Sequence, residues 1–395
     1  MNKNTLQVAL DAILQQTAGR HGGVPGVVAM LTDREGNFYE GAAGVRALNN
    51  EQDMTTDSVF ALFSTTKAMT GVCALQLLEE GLLDLADPVS RYLPAARDLQ
   101  VLDGFDNDGK PLTRPPKREI TVRDLMLHTA GFSYEFFSAE DLRYRTAMGI
   151  PTIVSCTPES FNSVLLHDPG ERWSYGVNID WLGRIVEVLR GKRLGEVMHE
   201  RLFEPLGMRD IGFTMTADMQ ARLVTVHDRA ENGTLSPLPD LILPQPPAMD
   251  CGGHGLYGTV GEYMKFIRMV LNDGMGSHGR VLNPETVALM SSDGLAAMGL
   301  SSTGWQSSIP SLSNNGEFFA GIDKGWAHTF MTNRARTPSG RPAGSLMWAG
   351  LANTFFWIDR QTGIGGYWAT QILPFQDCVS YPGFVEFESA TYQYQ

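Results

Sequence analysis

Residues 63–81 read Phe63-Ser64-Thr-Thr-Lys67-Ala-Met-Thr-Gly-Val-Cys-Ala-Leu-Gln-Leu-Leu-Glu-Glu-Gly81, a short polar stretch running into an apolar one. From Thr66 to Glu80 helix formers predominate. Apolar residues (Met69, Val72, Cys73, Leu75, Leu77, Leu78) fall on nearly every side, which predicts a helix buried all round. Gly81 ends it, where a left-handed residue costs least. Positions i and i+3 share a helix face, so the Ser64 hydroxyl and the Lys67 amine become neighbours. A serine hydroxyl is a poor nucleophile until a base takes its proton, and a lysine serves as that base only when burial or nearby charge lowers its pKa. The apolar helix supplies the burial, and its first turn supplies free N–H groups suited to an oxyanion. Taken alone, Ser-x-x-Lys also describes an N-cap serine with a solvated lysine one turn on, so the rest of the chain decides.

Working outward, Gly26–Val45 reads as a β-hairpin around Asp33-Arg-Glu-Gly-Asn. Lys324–Met331, Ser345–Leu351, Asn353–Ile358 and Gly366–Ile372 read as strands rich in Trp, Phe, Thr and Ile. A sheet assembled from both chain ends is expected. Between them, helical patterns such as Thr121–His128 and Asp180–Arg190 alternate with Pro- and Gly-rich loops. Pro237, Pro239, Pro244, Pro246 and Pro247 mark a connection that is neither helix nor central strand. The expected fold class is α+β. Segments 1–84 and 286–395 form an α/β lobe with an antiparallel sheet flanked by helices, residues 85–285 form an inserted, mainly helical lobe, and the active site lies in the cleft between them.

The chain has 395 residues, 43% hydrophobic, with a net charge of −13, enough for a substantial core. No Lys/Arg run builds the basic stripe that nucleic acid requires, and no run of about 18 apolar residues spans a bilayer. The N-terminus lacks the apolar core of a secretory signal, and the four cysteines, Cys73, Cys156, Cys251 and Cys378, show no CxxC pairing. A cytoplasmic protein with reduced thiols and no zinc site is expected.

Further motifs follow the first in order: Thr121-Val-Arg-Asp-Leu-Met-Leu-His128-Thr-Ala-Gly131, Pro169-Gly-Glu-Arg-Trp173-Ser-Tyr175-Gly-Val-Asn178, Glu204-Pro-Leu-Gly-Met208 and Gly252-Gly-His254-Gly-Leu-Tyr-Gly-Thr259. With Ser64-x-x-Lys67 they resemble the serine β-lactamase-like, penicillin-recognising superfamily, over about Gly26 to Ile372, and within it the family VIII carboxylesterases. The resemblance implies a β-lactamase/transpeptidase-like fold with Ser64 as acylated nucleophile, Lys67 as its base and Tyr175 as a phenol that shares and relays the proton. It places the oxyanion hole at the backbone N–H groups of Ser64 and Leu351. Where penicillin-binding relatives carry Lys-Thr-Gly, this chain reads Trp348-Ala349-Gly350-Leu351, as the family VIII esterases do. Tryptophan offers an apolar wall and an indole N–H instead of a cation for a carboxylate. The asparagine of Tyr-x-Asn is displaced to Asn178.

Substrate contacts are therefore expected from Trp348, Ala349 and Gly350, from Phe132 and Tyr134 beside Phe136 and Phe137, from Asn178, and from His254 in its Gly-rich loop. The segments Glu140–Thr157 and Leu235–Asp250 are expected to shape the acyl pocket. His128 reads as structural, no Gly-x-Ser-x-Gly is present, and the histidines lack metal-ligand spacing. No cofactor is implied. The leading expectation is a carboxylesterase acting on a small-molecule ester through an acyl-enzyme on Ser64. A β-lactamase, amidase or acyltransferase would use the same acyl-enzyme, and a non-catalytic binding protein would keep the fold without the chemistry.

Overall fold

The computed structural model describes residues 3–19, 22–48, 50 and 52–394. The N-terminal hairpin forms as β1 (Gly26–Thr32) and β2 (Asn37–Gly44), and its turn is closed by Asp33, whose carboxylate accepts from the Glu35 and Gly36 amides. Five strands come from the other end of the chain: β3 (Lys324–Ala327), β4 (Phe330–Asn333), β5 (Leu346–Gly350), β6 (Thr354–Asp359) and β7 (Ile364–Ala369). The seven strands lie in the order β3-β4-β5-β6-β7-β1-β2, each pair antiparallel. The chain ends meet at the β7–β1 pair, where Val28 stands opposite Ala369 and Thr32 opposite Gly365. The run read from sequence as one strand, Lys324–Met331, is two short strands, because the chain reverses at Thr329 with φ 96°.

Alternation of side chains along the central strands sorts the helices into two layers. Phe355, Trp357 and Trp368 face α5 (Ser380–Gln393), with ring centroids 4.8 Å apart for Phe355–Phe384 and 5.7 Å for Trp368–Phe387. On the same side, α1 (Lys3–Gly19) covers β2, where the Tyr39 hydroxyl donates to Asp11. Phe356 and Tyr367 point the opposite way, to Tyr263 of α4 (Val260–Leu271), at 5.1 and 4.6 Å. Helix α4 lies within the segment expected to belong to the helical lobe. It packs on the sheet instead, because Val260, Tyr263, Met264, Ile267 and Leu271 form a buried apolar stripe that needs a flat partner. Gly366 carries no side chain, which lets the Trp357 indole lie across it: an added Cβ would sit 2.3 Å from the ring.

Helix α2 (Thr66–Glu79) is buried from Thr66 through Leu77, as its sequence requires. Its body lies against α3 (Asn178–Arg190) of the helical part, and the turn leading into it, Phe63–Thr65, rests on β5. The remaining middle segment is short helices, two small hairpins, and the strands Ile211–Gly212 and Tyr257–Thr259, which join Val59–Ala61 in a three-stranded sheet. Pro237 occupies the strand Leu235–Leu238, which pairs on one side only and so tolerates a residue without an N–H. Among the described residues no helix is long and apolar enough to cross a membrane.

Trp357 is fully buried in this sandwich. Trp357→Ala is expected to lower unfolding free energy by ~3–5 kcal/mol, measured by chemical denaturation. A loss within the ~0.5 kcal/mol of an ordinary surface substitution would contradict the packing described.

Candidate active site

The nucleophile candidate stands on a strained turn. Phe63 has φ 45°, a left-handed conformation that costs a side-chain-bearing residue ~1–3 kcal/mol and persists only where neighbours hold it. Here they do. The Leu62 amide donates to Leu256 O at 2.9 Å, Thr65 Oγ1 donates to Leu62 O at 2.9 Å, and the Tyr263 hydroxyl donates to Thr65 O at 2.8 Å. Ser64 is left half-buried at the mouth of a pocket.

Lys67 is fully buried. Its Nζ donates to Ser64 Oγ at 3.1 Å, to the Tyr134 hydroxyl at 2.8 Å and to Gly253 O at 2.7 Å, and it lies 4.7 Å from the centre of the Tyr175 ring. Burial brings its pKa down to about 7, against a smaller opposing effect of the Asp180 charge. A neutral amine has two N–H groups, which satisfy Tyr134 and Gly253, and one lone pair, which then faces the Ser64 proton.

Asp180, on the first turn of α3, is the buried anion beneath this amine. Burial opposes its ionisation, yet His254, Lys67 and the Gly253 amide together hold its carboxyl below the usual range. The Gly253 N–H reaches Asp180 Oδ1 at 2.7 Å, and the Tyr134 hydroxyl reaches Oδ2 at 3.4 Å. Only glycine fits at 253, since an added Cβ would lie 2.2 Å from the carboxylate.

Tyr175 stands in the segment before α3, which is tied down by Ser174: its amide donates to His128 O at 2.7 Å and its hydroxyl to Phe132 O at 2.9 Å. The Tyr175 hydroxyl accepts from Trp348 Nε1 at 2.8 Å. Burial raises this phenol, and the Ser64 and Trp348 contacts offset only part of the rise. The tyrosine is therefore protonated, while the lysine is shared between neutral amine and ammonium near neutral pH.

The pocket beyond Ser64 opens to solvent and, with its open mouth included, holds about 460 Å³ of empty space. Ala349, Gly350 and Leu351 form one edge, and Phe136, Phe137, Trp173, Trp305, Phe318, Trp348 and Phe375 supply the walls. Among the described residues no charged side chain lines it.

The fold thus brings Ser64, Lys67, Tyr175, Trp348, Ala349, Gly350 and Leu351 together, and it relocates the other expected contacts. Phe132 is fully buried and stacked on Trp181 at 5.4 Å, turned into the core. Asn178 is fully buried at the start of α3, with Nδ2 donating to His128 Nδ1 at 2.8 Å. Tyr134 bonds Lys67 rather than lining the pocket. His254 lies behind the amine, its Nδ1 3.6 Å from Asp180 Oδ1. Neither Glu140–Thr157 nor Leu235–Asp250 lines the pocket; Trp305, Phe318 and Phe375 do. Asp180 was missed because one acidic residue in a helical pattern looks solvated, and the aromatic density at Trp305, Phe318 and Phe319 was the available signal for the pocket wall.

A family model described as Beta-lactamase matches residues 10–380. Lovastatin esterase of Penicillium rubens is 35% identical over 285 residues, covering 69% of this chain and 68% of that protein. Monacolin J acid methylbutanoyltransferase of Aspergillus terreus is 33% identical, covering 68% of this chain and 66% of that protein. Among solved structures, a mutant of simvastatin synthase from Aspergillus terreus superposes with a TM-score of 0.84 at 29% identity, over 98% of this chain and 95% of that one. A penicillin-binding protein homologue from Pyrococcus abyssi shares the fold, with a TM-score of 0.68 at 18% identity, over 100% of this chain and 78% of that one.

The Lys67 environment sets a pH dependence. Phosphonylation of Ser64 by a fluorophosphonate, followed by mass spectrometry, is expected to accelerate as pH rises and to level off above about 7, because only the neutral amine accepts a proton. The Asp180 charge favours the ammonium, so Asp180→Asn is expected to move the inflection to lower pH. An inflection near the ordinary 10.5 of a solvated lysine would refute a desolvated base.

Proposed function

This chain belongs to the β-lactamase family, and from that premise we propose that it forms an acyl-enzyme on Ser64 from a neutral carboxylic ester and passes the acyl group to water or to an alcohol. The observation that carries this reading is the 3.1 Å contact between a fully buried Lys67 Nζ and Ser64 Oγ at the mouth of an uncharged, aromatic pocket. A protein that only binds needs no desolvated amine beside its serine.

In the proposed cycle Ser64 Oγ attacks the ester carbonyl and its proton moves to Lys67. The tetrahedral oxyanion turns towards the backbone N–H groups of Ser64 and Leu351. Tyr175 gives its phenolic proton to the departing alkoxide, which leaves as the alcohol, and a Lys67 ammonium with a Tyr175 phenolate remains beside the acyl-enzyme. The incoming water or alcohol attacks the acyl carbon and loses its proton to that phenolate, and Lys67 returns its own proton to Ser64. Protons balance over the whole cycle: the first half leaves the ammonium–phenolate pair, and the second restores neutral Lys67 and protonated Tyr175.

Ester specificity follows from what the pocket lacks. A β-lactam or cell-wall peptide brings a carboxylate, and here it would meet aromatic carbon where other members of the superfamily are expected to offer a cation, an uncompensated desolvation. Transfer to an alcohol is the second reading, favoured by the methylbutanoyltransferase relative and by walls that admit an apolar acceptor as readily as water; hydrolysis is favoured by the esterase relative.

The test is turnover of short p-nitrophenyl esters and of nitrocefin, with and without a primary alcohol. Esters are expected to be cleaved and nitrocefin barely. Ser64→Ala should lose at least ~10³-fold and Tyr175→Phe ~10²–10⁴-fold. An ester product that grows with added alcohol selects transfer, and nitrocefin turnover above that of every ester would overturn the reading of Trp348.

A further inference from the structure

Behind the catalytic amine lie two cysteines and a histidine that the mechanism does not use. Cys156 follows the turn Ile153–Ser155 and itself has φ 51°, a second strained left-handed position. Cys251 and His254 belong to the tight loop carrying Gly253, closed by bonds from the His254 and Gly255 amides to Cys251 O at 3.1 and 2.9 Å. The Met249 amide joins this loop to the Cys156 turn through Cys156 O at 3.1 Å. The three side chains are buried, and their donor atoms all lie within 4.8 Å of one another.

We propose that Cys156, Cys251 and His254 form a binding site for one zinc ion, with Asp180 as the carboxylate that orients the imidazole. Tetrahedral zinc with ~2.3 Å bonds to sulfur and ~2.0 Å to nitrogen separates a sulfur and a nitrogen ligand by ~3.5 Å. Cys156 Sγ and His254 Nε2 are 3.7 Å apart, so this pair already stands near that spacing, and the Cys251 donor lies within 4.8 Å of both. His254 presents Nε2 to the sulfurs while Nδ1 faces Asp180 Oδ1 at 3.6 Å, the arrangement in which a carboxylate fixes a ligating histidine. Two thiolates, one imidazole and a fourth position left open suit a soft borderline cation and exclude calcium or magnesium, which require oxygen ligands. A disulfide between the same sulfurs would leave the orientation of His254 without a role.

None of the three side chains lines the substrate pocket, so the ion is a clamp rather than a participant in the reaction. It would pin the loop on both sides of Gly253, whose carbonyl is one of the three acceptors of Lys67. The inference does not depend on which acyl group is cleaved, and metal binding is read without any substrate.

The experiment is titration of reduced, metal-stripped protein with Co²⁺ and then Zn²⁺. Wild type is expected to take up about one Co²⁺ per chain with a sulfur-to-cobalt charge-transfer band, to lose the band when Zn²⁺ displaces it, and to unfold at higher temperature with zinc. Cys156→Ser and Cys251→Ser should abolish the band, while Asp180→Asn should weaken binding ~10–100-fold. Cys73→Ser, checked beside them by circular dichroism, should leave it intact. Absence of the band in folded wild type overturns the proposal. So does a band that survives both substitutions, or a Cys156–Cys251 disulfide whose reduction yields no metal uptake.

Discussion

The structure is organised around an amine kept out of water. Lys67 has no solvent contact, and a buried ammonium is costly unless every N–H is met and an anion lies near. Three acceptors meet it, and Asp180 sits beneath. The cost is balanced without being cancelled, which leaves an amine that titrates near neutrality instead of one locked in either form. Much else follows from that requirement. Helix α2 must be apolar on all sides, Gly253 must lack a side chain so that the Asp180 carboxylate can approach, and the Phe63 turn must be held against its own strain for Ser64 to reach the amine.

The aromatic pocket is the other side of the same exclusion. Phe136 stacks on Tyr134 with ring centroids 4.9 Å apart, so one wall of the pocket also shields the phenol that hydrogen-bonds Lys67. Trp326, fully buried, packs edge-on against Trp348 at 4.5 Å and fixes the indole that bonds Tyr175. Substrate shape and proton chemistry are therefore coupled through shared rings, and a substitution that widens the pocket near Phe136 also admits water towards Lys67.

The helix carrying Lys67, with Ser64 on the turn before it, was legible because an all-round apolar pattern allows one solution only, and the chain-end sheet because runs rich in Trp, Phe, Thr and Ile need strand partners. Tyr175 was found through the resemblance of its motif, not through any property of the residue. What escaped the sequence depended on long-range approach. Asp180 becomes a buried anion only when α3 meets α2. Phe132 and Tyr134, two positions apart, part company because one points into the core and the other at the amine. Cys156 and Cys251 meet only because the loop carrying Gly253 folds back onto the Cys156 turn. The helix α4 was assigned to the wrong layer because position along the chain says nothing about which face of a sheet an apolar stripe will cover.

Trp348 joins specificity to mechanism. A lysine at that strand position would place a positive charge beside Tyr175, drawing the phenol towards phenolate and offering an anchor for a substrate carboxylate. The indole N–H supplies one neutral hydrogen bond, a smaller effect, and burial then dominates: the phenol stays protonated and the proposed base is the lysine. Trp348 thus bears both on the proposed preference for neutral esters and on the protonation of Tyr175. The two effects are linked because the same charge would have served both purposes. The proposed cycle starts from the neutral amine, and the burial of Lys67, which outweighs the opposing Asp180 charge, makes that form available near neutral pH.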